Sequence, residues 1–104
     1  MEITEHEILK FPEVKRIFAG GCYQRGEGSR FRAKAHTHLA SGIICVLSVK
    51  RLTDRMVMLH EAAHAITKLG HVDKWRNKLL EIGGTLDETD SLKGYRKKSR
   101  AGAF

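Results

Sequence analysis

The chain has 104 residues, with 19 Lys and Arg against 12 Asp and Glu, and its net charge is +7 with histidine neutral. This length fits one domain, which we predict over residues 1–90, followed by a basic tail over residues 91–104. No apolar run approaches the roughly 20 residues of a membrane span, and the acidic, polar N-terminus is unlike a secretory signal. We therefore expect a cytoplasmic protein without a membrane partner. Two cysteines without a CxxC pair make neither a disulfide framework nor a zinc ribbon.

An N-terminal helix is the first predicted element. Thr4 and Glu7 have the spacing of a capping box, and Pro12 then interrupts or restarts the helix. The apolar side of the restarted helix consists of Val14, Ile17 and Phe18. The glycine pair Gly20-Gly21 is predicted to end it.

Two strands are predicted next, as an antiparallel hairpin. Residues 31–38 alternate between an apolar and a basic face, which is typical of a half-exposed strand. The continuous run "IICVLSV", residues 43–49, indicates a more central strand, and Ala40-Ser41-Gly42 is the turn between the two. Within that run Cys45 is interpreted as a small buried hydrophobe. Cys22, in the glycine-rich segment before the hairpin, is assigned no chemistry.

Two helices complete the predicted domain. Thr53 or Asp54 can cap the first, which runs to a C-terminal stop at Gly70. The second covers approximately Asp73–Ile82, with Trp75, Leu79 and Ile82 facing inward and a glycine pair after it. The first helix is predicted to face the core with one apolar stripe, which consists of Met56, Leu59, Ala63 and Ile66.

The first of these helices contains the sequence "HEAAH". Positions i and i+4 lie on the same helix face, so His60 and His64 can direct imidazole nitrogens at one metal ion. Glu61 is rotated from His60 by roughly 100° and can reach a water molecule on that metal without ligating it. This spacing predicts a Zn²⁺ site with Glu61 as the catalytic general base. Histidines on a solvated helix face are the alternative interpretation.

A catalytic zinc needs a third protein ligand and an open position. His71 follows Gly70, where the chain can reverse, and is our first candidate. Glu81 on the following helix is the competitor, and Glu88 is a third candidate in a predicted loop.

The order helix, strand, strand, HExxH helix and then "GHVDKW" resembles the SprT-like zinc metallopeptidase domain, related to Spartan and WLM-type proteases. The resemblance covers approximately residues 1–84 and rests on "HEAAH" together with His71 and Trp75. It implies a small zincin-like α+β fold with an N-terminal helix, a short antiparallel sheet and an HExxH helix followed by a second helix. It also implies His71 as the third zinc ligand. Val72 stands where the family usually has glycine, the interval from His64 to His71 is short, and the family's frequent cysteine-based zinc ribbon is absent.

The resemblance also implies a mode of substrate binding. Proteases of this kind bind a protein or peptide as an extended strand against a sheet edge, and residues 31–38 are the predicted edge. The alternative is a solvated edge protected by the charges of Arg30, Arg32 and Lys34. His36 and His38 are interpreted as surface histidines, with substrate contact or oxyanion stabilisation as the alternative. Tyr23 and Tyr95 are weaker electrophile candidates.

The sequence therefore predicts a zinc metalloendopeptidase, with DNA-associated proteins as a candidate substrate class. The alternative function is a basic nucleic-acid-binding module whose zinc site is structural or vestigial, which the charge of +7 favours. A domain that keeps the metal only to stabilise its fold is a third hypothesis. The tail residues that could contact phosphates are Lys93, Arg96, Lys97, Lys98 and Arg100.

Overall fold

A four-stranded mixed sheet carries one helix on one face, and a second helix packs against the first. The computed structural model describes residues 1–26, 28–29, 31 and 33–85. The predicted α+β class is confirmed. Among the described helices, none has both the length and the apolar character needed to cross a membrane. The elements are β1 (Glu2–Ile3), a 3₁₀ turn (Glu7–Lys10), β2 (Arg16–Ala19), β3 (Ala35–His38), β4 (Ile43–Val46), a second 3₁₀ turn (Val49–Thr53), α1 (Arg55–Thr67) and α2 (Asp73–Glu81).

The predicted N-terminal helix is wrong except for one 3₁₀ turn. That turn covers Glu7–Lys10, and the ring of His6 accepts a hydrogen bond from its backbone. The segment predicted to continue the helix forms β2 instead, where Ile17 is fully buried and pairs with Ile44 of β4. Three apolar residues in a short segment fit a helical period and an alternating one equally well. Pairing with a distant strand decides between them.

The sheet has the strand order β1-β2-β4-β3. The predicted β3–β4 hairpin is confirmed, because these strands pair antiparallel. The expectation of a purely antiparallel sheet is wrong, because β2 and β4 pair in parallel. At the hairpin turn Gly42 has φ +75°, and a Cβ there would lie 2.2 Å from the carbonyl oxygen of Glu13. Only glycine fits this turn against the neighbouring chain.

The two faces of the sheet bury different groups of side chains. Alternate strand residues such as Ile17, Ile44 and Val46 face α1 and form the main core with its apolar side chains and with Trp75. On the opposite face a smaller cluster contains Cys22, Ile43 and Cys45, with three aromatic residues partly buried against it. The second cluster is small, so few apolar contacts hold the segment around Cys22 against this face.

Helix α1 is buried on several sides rather than along one stripe. Of the predicted stripe, Leu59 and Ala63 are buried, whereas Met56 and Ile66 are only half-buried. The reason is that α1 lies between the sheet and α2, so more than one of its faces is covered. The residues of α1 that are buried are Met58, Leu59, Glu61, Ala62, Ala63, His64 and Ala65.

Helix α1 ends earlier than predicted. Its last residue is Thr67, and Lys68 adopts the left-handed conformation with φ 58°. The backbone N–H of Lys68 donates to the carbonyl oxygen of His64 at 2.8 Å, which closes the last turn. The predicted stop at Gly70 is therefore wrong. At the other end the alternative cap is resolved in favour of Asp54, whose Oδ1 accepts from the backbone of Val57.

Candidate metal centre

Three histidine rings converge at the C-terminal half of α1 and the loop after it. The Nε2 atoms of His60 and His64 are 3.2 Å apart, and the Nε2 atom of His71 lies 3.1 Å from the first and 3.3 Å from the second. Each imidazole N–H can be directed at only one neighbour, so three mutually close nitrogens cannot all be hydrogen-bonded to one another. This triangle is a group of side chains that could hold a metal ion.

The triangle fits the spacing of zinc ligands. Tetrahedral nitrogen ligands at the usual Zn–N length of about 2.0–2.1 Å lie about 3.3–3.4 Å from one another. The three observed separations are 3.1, 3.2 and 3.3 Å. Three imidazoles form the ligand set of a catalytic zinc that keeps a position for water or substrate. The donor chemistry and the spacing therefore both fit Zn²⁺.

The loop after α1 fixes the orientation of His64. Its Nδ1 lies 2.7 Å from the carbonyl oxygen of Leu69, and a carbonyl only accepts, so Nδ1 is the donor. The proton on Nδ1 leaves the lone pair on Nε2, which is the atom that points into the triangle. The left-handed Lys68 reverses the chain so that both the Leu69 carbonyl and His71 face the helix.

Trp75 of α2 packs against all three imidazoles. Its ring is stacked on that of His64, with centroids 5.1 Å apart and an interplanar angle of 19°, and it meets His60 and His71 edge-on. Its indole N–H donates to the carbonyl oxygen of His60 at 3.3 Å. Trp75 is fully buried, so it is a rigid apolar support that limits the rotation of the three rings.

Burial holds the α1 histidines in their neutral form. Burial, together with the neighbouring His64 and His71, lowers the pKa of His60 to about 3. Burial likewise lowers the pKa of His64 to about 4, with an opposing contribution from its bond to Leu69. Neutral imidazole is the form that binds a metal, so neither ring has to lose a proton at neutral pH to become a ligand.

Glu61 lies beside the triangle and is bound by Thr37 of β3. The Thr37 hydroxyl is 2.7 Å from Oε1 of Glu61 and 3.1 Å from its backbone carbonyl oxygen. Burial raises the pKa of the Glu61 carboxyl to about 7, against the lowering effect of the Thr37 hydrogen bond. A carboxyl with a pKa near neutrality can both accept and return a proton at physiological pH.

A cavity of about 680 Å³ opens onto the three histidines and Glu61. Residues 33–37, which include most of β3, form one wall, and side chains such as Leu39, Met56 and Val57 add apolar surface. Strand β3 is at one edge of the described sheet, and β1 is at the other. The cavity therefore joins a group of potential metal ligands to an edge strand.

The structure separates the other predicted site residues from this centre. Glu81, the competing third ligand, is at the end of α2, where it forms an ion pair with Lys78 and remains exposed. The rings of His36, His38 and Tyr23 lie together at the other face of the sheet, although His36 is also one of the residues that line the cavity. Several predicted residues lie outside the described part of the chain, namely Arg30, Arg32, Glu88, Lys93, Tyr95, Arg96, Lys97, Lys98 and Arg100.

Two contributors to the centre were missed in the sequence. Nothing in the sequence indicated the contact of Thr37 with Glu61, because the two residues are 24 positions apart. The carbonyl of Leu69 could not be foreseen, because any residue provides one. The alternation of residues 31–38 placed Thr37 opposite His36 and His38, and this pattern was the one indication that it faces the helix.

Three comparisons with known proteins found no relative of this chain. No protein-family model, no curated protein and no solved structure matches the chain. What can be concluded about the site therefore comes from its own residues and their geometry.

Proposed function

We propose that the protein is a zinc-dependent metallopeptidase with a small zincin-like domain of the SprT-like kind. His60, His64 and His71 hold the metal, and Glu61 is the general base. The observation that carries this proposal is the convergence of three Nε2 atoms within 3.3 Å of one another in a cavity that also contains a buried glutamate. Zinc bound there would supply Lewis acidity and would lower the pKa of a bound water to about 7.

Glu61 moves the proton in this proposal. Its carboxylate takes a proton from the water that attacks the peptide carbonyl carbon, and returns it to the leaving amine nitrogen as the C–N bond breaks. The hydroxyl of Thr37 holds Oε1, which leaves the other carboxylate oxygen for the transfer. Burial excludes bulk water from the carboxylate and keeps its pKa near the pH at which it must work.

The substrate is an extended peptide segment paired with β3. This strand has one neighbour, β4, in the described sheet, and residues 33–37 line the cavity that contains the histidines. A peptide added along that edge would run past the metal ligands, and its side chains would meet apolar surface from Leu39 and Met56.

Proteins attached to nucleic acid are the substrate class that we favour. The support is the net charge of +7 over 104 residues, which attracts the protein to polyanions. This part of the proposal is independent of the metal chemistry, because charge affects where the protein binds rather than how it cleaves.

The metal content and proteolysis of three variants test the proposal. The Glu61→Gln variant should keep its zinc and cleave an unfolded protein such as casein about 10²–10⁴-fold more slowly, because it lacks the base. The double variant His60→Ala/His64→Ala should lose both this zinc and turnover. Glu81→Gln is the matched control and should retain both, because that carboxylate is exposed and paired with Lys78. Full turnover in Glu61→Gln, or zinc-loaded wild-type protein that cleaves neither casein nor DNA-bound protein, would contradict the proposal.

A further inference from the structure

A second group of potential metal ligands lies on the sheet face opposite α1. It consists of Cys22, His36, His38 and Cys45, and their ligand atoms all lie within 4.8 Å of one another. Both cysteines are buried and both histidines are half-buried. The chain has six histidines and two cysteines, so the two groups together contain every one of these residues except His6.

The sheet register assembles this second group. His36 is directly opposite Cys45 in the antiparallel β3–β4 pair, and side chains two residues apart share a face, which places His38 beside His36. Thr37, between them, points to the other face and reaches Glu61. Cys22 is the only member outside the sheet, and it belongs to the segment that covers this face.

Two of the six separations between ligand atoms in this group are close to those of tetrahedral zinc ligands. Two imidazole nitrogens on one zinc lie about 3.3–3.4 Å apart, and a nitrogen and a thiolate sulfur lie about 3.6 Å apart, for Zn–N of about 2.0–2.1 Å and Zn–S of about 2.3 Å. Here Nε2 of His36 and Nε2 of His38 are 3.2 Å apart, and Sγ of Cys22 is 3.5 Å from Nε2 of His38.

Backbone hydrogen bonds position the two sulfur atoms. The backbone N–H of Tyr23 donates to Sγ of Cys45 at 3.4 Å. Burial raises the pKa of the Cys45 thiol to about 11, so a bound metal would have to displace its proton. A tight turn holds Cys22, whose carbonyl accepts from the backbones of Arg25 and Gly26 at 3.0 and 2.8 Å. The backbone of Cys22 donates to Oγ of Ser29 at 2.8 Å. The turn therefore positions one sulfur, and β4 positions the other.

Aromatic rings shield the two imidazoles from water. Tyr23 meets His38 edge-on with centroids 4.7 Å apart, and Phe31 lies 4.3 Å from His36. An apolar shell of this kind strengthens the bonds from a metal to its ligands by excluding competing solvent.

We infer that Cys22, His36, His38 and Cys45 bind a structural Zn²⁺. Two thiolates and two imidazoles form a complete tetrahedral set that selects zinc and leaves no position for substrate. The ion would attach the segment around Cys22 to a sheet face whose apolar cluster is small. It would also hold β3 in place, and with it the hydroxyl of Thr37 that contacts Glu61. The inference does not depend on the proposed peptidase activity, because the two sites share no ligand.

X-ray absorption at the zinc edge tests this site separately from the first. Wild-type protein, purified with a thiol reductant, should contain two zinc ions per chain. The His60→Ala/His64→Ala variant should retain one, with two sulfur neighbours at about 2.3 Å and two nitrogen neighbours at about 2.0–2.1 Å. If this double variant contains no zinc, or zinc with only nitrogen and oxygen neighbours, the inference is overturned. Neither result would bear on the proposed site of His60, His64 and His71.

Cysteine variants and cobalt provide the second measurement. Cys22→Ser should lose the sulfur-bound zinc and keep the zinc held by histidines, whereas His6→Ala, the control for an unrelated histidine, should keep both. If Cys22→Ser does not fold, Co²⁺ added to metal-free wild-type protein should still produce thiolate-to-cobalt charge-transfer absorption, which a site of three histidines cannot produce. The absence of that absorption, or a Cys22–Cys45 disulfide in the freshly isolated chain, would refute the site.

Discussion

At the scale of single residues, the decisive contact is the one between Thr37 and Glu61. A buried carboxyl without a partner would rotate among several positions or remain protonated, because burial disfavours its charge. The hydroxyl of Thr37, 2.7 Å from Oε1, restricts this rotation and partly offsets the effect of burial on the pKa. Thr37 is thus a positioning residue in the proposed mechanism.

Replacing Thr37 by valine removes this hydroxyl and keeps the shape of the side chain. We expect kcat to fall about 10–100-fold, because a hydrogen bond to a charged group contributes about 1.5–3 kcal/mol. Zinc content should not change, since Thr37 is not a ligand. Thr37→Ser, which keeps the hydroxyl, should retain most of the activity. Equal kcat values for the valine and serine variants would show that the contact does not matter for catalysis.

At the scale of elements, the β3–β4 hairpin links the two groups of histidines. Its strand β3 presents Thr37 to α1 and His36 and His38 to the other face, so one four-residue strand contributes to both sites. The turn at Gly42 sets the register of this strand against β4, and the backbone of Lys15 donates to its carbonyl at 2.9 Å. A change at the turn should therefore affect both sites.

Gly42→Ala should lower the free energy of unfolding by about 2–4 kcal/mol, from a positive φ combined with a steric clash. The added Cβ would lie 2.2 Å from the carbonyl oxygen of Glu13. Gly28→Ala is the matched control, because Gly28 has φ +84° and a Cβ added there would meet no atom within 4 Å. Urea denaturation of both variants measures the difference. Equal decreases would mean that the clash at Gly42 is relieved by movement of the neighbouring chain.

At the scale of the whole molecule, bound metal should contribute to stability. A ligand present at 100 times its Kd stabilises the folded state by about 2.7 kcal/mol. For a domain of this size each kcal/mol corresponds to about 4–8 °C in Tm, so removal of zinc by a chelator should lower Tm by roughly 10–20 °C per site. Zn²⁺ should restore the original Tm and Mg²⁺ should not, because Mg²⁺ prefers oxygen ligands. A Tm that is insensitive to chelation would argue against both sites.

The basic tail allows a prediction about nucleic acid. Deletion of residues 91–104 removes five basic residues from a chain whose net charge is +7. We expect weaker binding to duplex DNA and a smaller salt dependence, by about 0.9 in the slope of log K against log salt for each phosphate that the shortened chain no longer neutralises. Binding isotherms at several salt concentrations give this slope. An unchanged slope would show that the tail does not bind phosphates.

The features of this protein that depend only on residues close together in the chain could be predicted from the sequence. The spacing of His60 and His64 is an example, because four residues on a helix always return to the same face. The cap at Thr53 or Asp54, the β3–β4 hairpin and α2 also follow from local patterns, since turns, alternation and helical periods are properties of short segments.

Other features depended on contacts between distant parts of the chain. Residues 16–19 form a strand because β4 is available to pair with them, and Thr37 meets Glu61 across 24 residues. His71 rather than Glu81 joins the histidines because Lys68 adopts a left-handed conformation that its residue type does not predict. The grouping of Cys22 and Cys45 with His36 and His38 likewise arises from strand register. Local sequence determined which residues could act as ligands, and only the tertiary structure decided which of them meet, because strand pairing and chain reversal bring together residues that no short segment contains.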